Sequence, residues 1–209
     1  LGGKSWISPG GSALPDYGGR GWQSKRAKKM ATVGGYIIVD RYGNRFTNEN
    51  YKSHALYYEL PWFDTQKLFY PRVPSYWIFD QKRIDDGPLV LRIAGPAGPA
   101  RLCQWSTDNK EELEQGWIKR GDSAKDLAIE LGMEPQILEE TINNYNLYCQ
   151  HGEDAECDRQ PNTLMALDAP PYYAVELWPG GVNTQGGPRR NSRAQILRAD
   201  GSPVPGIYS

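Results

Sequence analysis

The chain contains few of the residues that build metal sites and disulfides. Its 209 residues include only two histidines and three cysteines. No two cysteines have the CxxC spacing of zinc or thioredoxin-like sites, and two histidines are too few for a histidine-rich metal centre. The sequence therefore predicts that no metal is bound.

A strong excess of one charge and a long apolar run are also missing. The 24 Lys and Arg residues nearly balance the 25 Asp and Glu residues. Nucleic-acid-binding domains normally have a basic excess, so no nucleic acid partner is predicted. The longest apolar runs, such as Tyr36–Val39, are far too short to cross a bilayer, so no membrane span is expected. A cytoplasmic location is favoured, with an exported protein as the alternative.

Glycine, proline and aromatic residues are plentiful, and they divide the chain into short elements. Apolar residues at helical spacing predict helices, and β-branched or aromatic runs bounded by Gly and Pro predict strands. The predicted helices span residues 51–60, 109–118, 124–131 and 135–149. The predicted strands span residues 36–39, 45–47, 75–80, 172–178 and 194–197, of which the first two form a hairpin. This mixture predicts an α+β fold.

The loop of residues 180–190 is the most unusual feature of the sequence. Two glycine pairs allow its backbone amides to approach a ligand closely, because no Cβ atom intervenes. Arginine recognises carboxylates through a planar pair of donors, so the loop suits an anionic or carbonyl-bearing ligand. An ordinary glycine-rich turn with exposed arginines fits the same residues equally well. The polar side chains of the loop are those of Asn183, Thr184, Gln185, Arg189 and Arg190.

Three segments, in this order, resemble the fumarate reductase and 3-ketosteroid dehydrogenase group of FAD-dependent flavoproteins. Residues 35–49 are similar to the strand, turn and G-x-R-F-x-N-E sequence of that group. Residues 123–159 contain LA-x-x-x-G-M-x-P-x-x-L-x-x-T-x-x-x-Y-N, followed by a Gly-Glu-Asp loop. Residues 171–208 contain P-Y-Y-A-V-E-L-x-P-G, T-x-G-G and P-V-P-G-I-Y. Together the segments cover most of the chain beyond residue 34.

The resemblance implies three parts. Residues 34–165 correspond to a mixed helix–strand capping domain that closes over substrate. Residues 1–33 correspond to a loop-rich segment beside the FAD-binding domain, and residues 166–209 to a truncated segment that re-enters that domain. The GxGxxG motif of the group is not found in residues 1–35. We therefore expect a fragment that does not hold FAD tightly alone and whose partner is the missing FAD-binding domain of the same chain.

The activity implied by the resemblance is hydride transfer between FAD and an activated carbon–carbon double bond of a small molecule. In the fumarate reductases an arginine donates the proton, but the matching position here is Ser53. A substrate-binding histidine of those enzymes is Asn183 here, so we expect a substrate other than fumarate. The candidate proton donors are His54, Lys52 and Tyr51, each of which also fits a structural role on a cap helix.

The remaining assignments implied by the resemblance lie in the glycine-rich loop. Gln185, Gly186 and Gly187 correspond to residues beside the flavin ring. The Gly186 and Gly187 amides or the arginine pair would polarise the group conjugated to the alkene. The candidate substrate-binding residues are Ser53, Asn183, Thr184, Arg189 and Arg190.

A non-catalytic binding module is the alternative interpretation. The seven Trp and 13 Tyr residues would then form a surface on which an aromatic-binding ligand stacks. An upstream GxGxxG motif in the same reading frame distinguishes the flavoenzyme from this module.

Overall fold

The computed structural model describes residues 35–49, 58–89, 106–178 and 187–208. These residues contain six strands, four α-helices and a short 3-10 turn at Pro161–Thr163. The strands are β1 (Tyr36–Val39), β2 (Ser75–Asp80), β3 (Ile118–Gly121), β4 (Tyr172–Leu177), β5 (Gln195–Leu197) and β6 (Pro203–Tyr208). The helices are α1 (Gln81–Asp85), α2 (Lys110–Glu114), α3 (Ala124–Leu131) and α4 (Pro135–His151).

Four strands form one antiparallel sheet in the order β1-β2-β4-β3. Its register places Ile37 opposite Ile78, and Ile78 opposite Ala174. On the far side of β4, Ile118 of β3 pairs with Val175. Strands β5 and β6 form a separate two-stranded sheet.

Both faces of the four-stranded sheet are buried. Successive side chains of a strand point to opposite faces, so each strand contributes to both cores. Ile37 and Ile78 belong to the core that packs against helices α3 and α4. Ile38 and Trp77 belong to the core on the other face, which Leu60 helps to cover. The sheet is therefore the central layer of the described fold.

Local sequence signals set the bounds of helices α3 and α4, and both predicted helices are confirmed. The hydroxyl of Ser123 accepts a hydrogen bond from the Asp126 N–H, while the Asp126 carboxylate accepts one from the Ser123 N–H. Pro135 opens α4. Gly132 and Gly152 end the two helices in left-handed conformations, each with φ of 70°.

The predicted helix over residues 109–118 is wrong beyond Glu114. Helix α2 ends there because Gly116 takes a left-handed conformation with φ of 70°. Ile118, which the helical pattern included, instead begins strand β3 and pairs with Val175 of β4. A pairing partner far along the chain thus decides the conformation of this short apolar segment.

The predicted hairpin of residues 36–39 and 45–47 is reduced to one bridge, between Val39 and Arg45. The turn between them is closed by the Asp40 carboxylate, which accepts hydrogen bonds from the backbone N–H groups of Tyr42 and Asn44. Of the predicted helix over residues 51–60, residues 51–57 lie outside the described residues, and residues 58 and 59 are helical.

The described residues combine helices with antiparallel sheets, in agreement with the predicted α+β class. None of the described helices has the length and apolar character needed to cross a lipid bilayer. The predicted strands at residues 75–80, 172–178 and 194–197 are also confirmed, and the last of them forms a hairpin with β6 that turns at Asp200 and Gly201.

Candidate functional site

Only part of the candidate site falls within the described residues. Gly187, Arg189 and Arg190 are described, and they lie in one extended segment beside β5. The other candidates lie outside the described residues: Tyr51, Lys52, Ser53, His54, Asn183, Thr184, Gln185 and Gly186.

The segment from Gly187 to Arg190 is held by the backbone of β5. The Leu197 N–H donates a 2.7 Å hydrogen bond to the carbonyl oxygen of Arg189, and Arg190 forms a bridge with Ile196. Both arginine side chains are exposed. Gly187 has φ of 143°, and a Cβ atom built on it would meet nothing within 4 Å. The described residues therefore leave the space beside the Gly187 Cα open.

A cluster of four charged side chains lies buried among the described residues. Arg45 donates from Nε and Nη2 to the two carboxylate oxygens of Glu49, both at 2.8 Å. Its Nη1 and Nη2 also donate to the two oxygens of Asp154, at 2.8 and 2.7 Å. Arg159 reaches the Glu49 carboxylate at 3.2 Å. All four side chains are fully shielded from solvent.

Aromatic rings and backbone groups complete this charge cluster of Arg45, Glu49, Asp154 and Arg159. The guanidinium carbon of Arg45 lies 5.1 Å from the ring centre of Tyr145 on α4. Asp154 follows the end of α4 and accepts hydrogen bonds from three backbone N–H groups of residues 156, 157 and 159. The cluster therefore ties the turn after β1 to the loop after α4.

The charge cluster also forms hydrogen bonds with the edge of β1 that faces away from β2. The Ile38 N–H donates to Glu49 at 3.1 Å, and the Tyr36 carbonyl oxygen accepts from Arg159 at 2.8 Å. Strand β1 lies at the end of the sheet, with β2 on its other side. Charged side chains thus satisfy backbone groups along this edge of the strand.

Two positive and two negative charges make the cluster neutral, which suits it to holding structure. Burial pushes the pKa of Asp154 upward, but the Arg45 hydrogen bonds and charge and the N–H groups of Cys157 and Arg159 bring it below its ordinary value. Sequence patterns identified the R-F-x-N-E and Gly-Glu-Asp motifs but not their pairing. The opposite charges of Arg45 in the first motif and Asp154 in the second were the available signal.

The depressed pKa of Asp154 makes the contribution of this residue dependent on pH. An acid whose folded pKa is lowered stabilises the fold above its unfolded pKa of about 3.9, and that stability is lost as pH falls through the folded pKa. We therefore expect Asp154→Asn to destabilise the protein at pH 7 and to differ less from the wild type as pH falls below about 4. Urea unfolding between pH 7 and pH 3.5 measures the difference. A difference that is constant across this range would contradict the expectation.

The comparisons with known proteins agree with the resemblance. The chain matches the family described as FAD binding domain over residues 20–209. It belongs to this family. Within the FAD binding domain family, FAD is the cofactor, and the fumarate-reductase-like assignment made from the three segments is confirmed.

Relatives in this family include reductases and dehydrogenases. A digoxin reductase of Eggerthella lenta is 33% identical over 176 residues, which cover 82% of this chain and 28% of that protein. A 4-oxocyclohexanecarboxylate 2-dehydrogenase of Sinomonas cyclohexanicum is 26% identical over 191 residues, covering 84% of this chain and 30% of that protein. The chain thus spans less than a third of the length of these relatives.

A solved structure of the open conformation of a flavocytochrome c3 fumarate reductase is similar to this fold. It superposes with a TM-score of 0.60 and 25% sequence identity, covering 87% of this chain and 27% of the other. Among the described residues, no group of three or more His, Cys, Asp and Glu side chains is arranged to hold a metal ion.

At the Gly187 end of the glycine-rich loop, the described residues leave space in which a flavin ring would meet no side chain. A flat ring needs close approach to the backbone, and the open space around Gly187 allows it. The exposed side chains of Arg189 and Arg190 bring positive charge to the same segment.

Proposed function

We propose that this chain is part of an FAD-dependent oxidoreductase that reduces or dehydrogenates an activated carbon–carbon bond of a small molecule. The family match over residues 20–209 carries this proposal. The relatives support both directions of the reaction, since one is named a reductase and another a dehydrogenase. Ser53 and Asn183 stand where the fumarate reductases have arginine and histidine, which supports a substrate other than fumarate.

The resemblance assigns residues 34–165 to the capping domain and residues 166–209 to the return segment, and we propose that this boundary lies after β4. Strand β4 lies between β2 and β3, so residues 172–177 share a core with the earlier part of the chain. We place the return to the FAD-binding domain after this strand, while residues 1–33 adjoin that domain at the other end. Ile207 and Tyr208 of β6 are 51% and 63% exposed, which leaves apolar surface for that domain to cover.

When bound, FAD supplies the hydride donor or acceptor of the reaction. The role of this chain is to orient the substrate, exclude water and move one proton. Either the Gly186 and Gly187 amides or the guanidinium groups of Arg189 and Arg190 draw electron density from the group conjugated to the double bond. The proton is held at the imidazole of His54, the ammonium of Lys52 or the hydroxyl of Tyr51.

The full-length protein tests this proposal through its flavin absorbance. We expect yellow protein which, after anaerobic reduction, is reoxidised by 2-enones or monocarboxylic 2-enoates more rapidly than by the dicarboxylate fumarate. Of the variants His54→Gln, Lys52→Met and Tyr51→Phe, the one that removes the proton donor should lower kcat about a hundredfold, because general acid catalysis contributes at least that much. Its KM and flavin spectrum should stay close to those of the wild type.

A matched control is Lys125→Met, which removes an exposed lysine whose ammonium pairs with Glu139 on the surface. This variant should retain wild-type kcat. Colourless full-length protein would refute the proposal, whereas fumarate as the best oxidant in the panel would refute the expectation of a substrate other than fumarate. Wild-type kcat in all three test variants would remove residues 51, 52 and 54 from the proposed mechanism.

A further inference from the structure

Four large apolar side chains are exposed within the nine residues 62–70, a segment that we call the aromatic loop. They are Trp62 at 48%, Phe63 at 41%, Leu68 at 73% and Tyr70 at 47%. The rings of Phe63 and Tyr70 contact each other, with 4.9 Å between their centres. Folded proteins rarely leave large apolar patches in water, so a patch of this kind indicates a contact surface.

Hydrogen bonds fix the tip of the aromatic loop. The Asp64 N–H donates to the carbonyl oxygen of Phe69 at 2.9 Å, and the Leu68 N–H donates to the carbonyl oxygen of Asp64 at 2.8 Å. The Tyr42 hydroxyl donates to the Asp64 carboxylate at 2.7 Å, which ties the loop to the turn after β1. Leu68 is held at a φ of 57°, a left-handed conformation that is unfavourable for leucine. The fold thus presents an exposed apolar side chain in a fixed and strained position, as preorganised binding loops do.

The aromatic loop lies at the end of the sheet where the chain leaves β4. The Arg41 N–H donates to the carbonyl oxygen of Pro71 at 2.8 Å, which holds the base of the loop beside the end of β1. Residues 71–74 then lead into Ser75, which pairs with Leu177, the last residue of β4. The return to the FAD-binding domain, placed after β4, therefore starts at the same end of the sheet as the aromatic loop.

The related proteins are long enough to supply a body that covers this loop. The chain spans 28% of the digoxin reductase and 30% of the 4-oxocyclohexanecarboxylate 2-dehydrogenase. We propose that the aromatic loop docks on the FAD-binding domain of the same protein, with the Leu68 side chain in an apolar pocket of that domain. This inference rests on the proposed function, because it takes the chain to be part of a larger flavoprotein. It adds the surface through which the two parts meet.

Photo-crosslinking of the full-length protein tests the contact. Benzoylphenylalanine in place of Phe63 forms, on illumination, a covalent bond with the residue that lies against it. We expect mass spectrometry to place the crosslinked residue in the parent sequence outside residues 1–209. The same replacement at Leu147, which is 48% exposed on α4, is the matched control and should give no such crosslink.

Leu68 and Ile129 form a matched pair for hydroxyl-radical footprinting, because they are 73% and 65% exposed in this chain. In the full-length protein we expect Leu68 to be oxidised at least about tenfold more slowly than Ile129, because burying a leucine side chain favours the docked state by about that factor or more. Leu68→Asn keeps the left-handed conformation but removes the apolar contact, so it should expose Trp62 and Tyr70 to oxidation. Ile129→Gln should leave both unchanged, and both variants should keep the flavin absorbance.

Three outcomes would overturn the inference. Crosslinks from position 63 that end within residues 1–209 would show that another part of this chain covers the loop. Crosslinked dimers whose yield rises with protein concentration would assign the loop to a second copy. Equal oxidation rates at Leu68 and Ile129 would show that the loop stays in solvent. Colourless protein that still gives the expected crosslinks would count against the proposed function but support the docking contact.

Discussion

Replacing Glu49 with glutamine is expected to lower the free energy of unfolding by about 3–5 kcal/mol, because removing one partner of a buried ion pair leaves an uncompensated charge. The Glu49 carboxylate accepts hydrogen bonds from Arg45, Arg159 and the Ile38 N–H. Without its charge, the buried Arg159 guanidinium loses its carboxylate partner, while Arg45 retains Asp154 and, at 3.8 Å, Glu156. Urea unfolding followed by tryptophan fluorescence and circular dichroism measures the loss.

Glu130→Gln provides the comparison for this expected loss. Glu130 pairs with Lys119 at 3.1 Å, but both side chains are partly exposed, at 49% and 37%. Exposed ion pairs contribute about 0–1 kcal/mol, so this variant should remain close to the wild type. Similar losses in the two variants would show that burial of the charge cluster does not govern its contribution.

Replacing Gly121 with alanine should also destabilise the fold, by about 3 kcal/mol or more, because the added methyl group meets backbone that cannot move independently. A Cβ atom at Gly121 would lie 2.6 Å from the Leu127 Cα and 2.8 Å from the Asp126 carbonyl carbon, and closer still to the Leu127 N. Relief requires helix α3 to shift away from β3. Such a shift would disturb the packing of Leu127, which is fully buried.

Gly132→Asn is the control for Gly121→Ala, because it replaces a glycine at a position where the new side chain meets no close contact. Gly132 has φ of 70°, and a Cβ atom there would meet nothing within 4 Å. Asparagine tolerates the left-handed conformation, so the expected loss is about 1 kcal/mol or less. Thermal and urea unfolding of the two variants compare them directly. A small loss in Gly121→Ala would mean that β3 and α3 are not tightly apposed.

The sequence predicts local structure well where the signal and the structure lie in the same few residues. Ser123 and Gly132 delimit α3, and Pro135 and Gly152 delimit α4, through contacts made within one helical turn. Prediction failed at Ile118, because pairing with β4, contributed by a distant part of the chain, overrides its helical pattern. The periodicity of a short segment carries no information about its pairing with a distant strand.

The candidate site was predictable only as separate motifs. The hydrogen bonds between Arg45 and Asp154 join residues 109 positions apart, and no spacing rule connects positions that distant. The motif resemblance identified the family, and the family match confirmed it.

The charged side chains along β1 have a consequence for how copies of this chain behave together. An edge strand with unpaired amides and carbonyls is a template on which a second chain can add a strand and begin to aggregate. In this fold the Ile38 N–H and the Tyr36 carbonyl oxygen are already bonded to Glu49 and Arg159. Strand addition at β1 would therefore have to displace a buried ion pair first. The residues that hold β1 in the fold therefore also oppose the addition of a strand from a second copy of the chain.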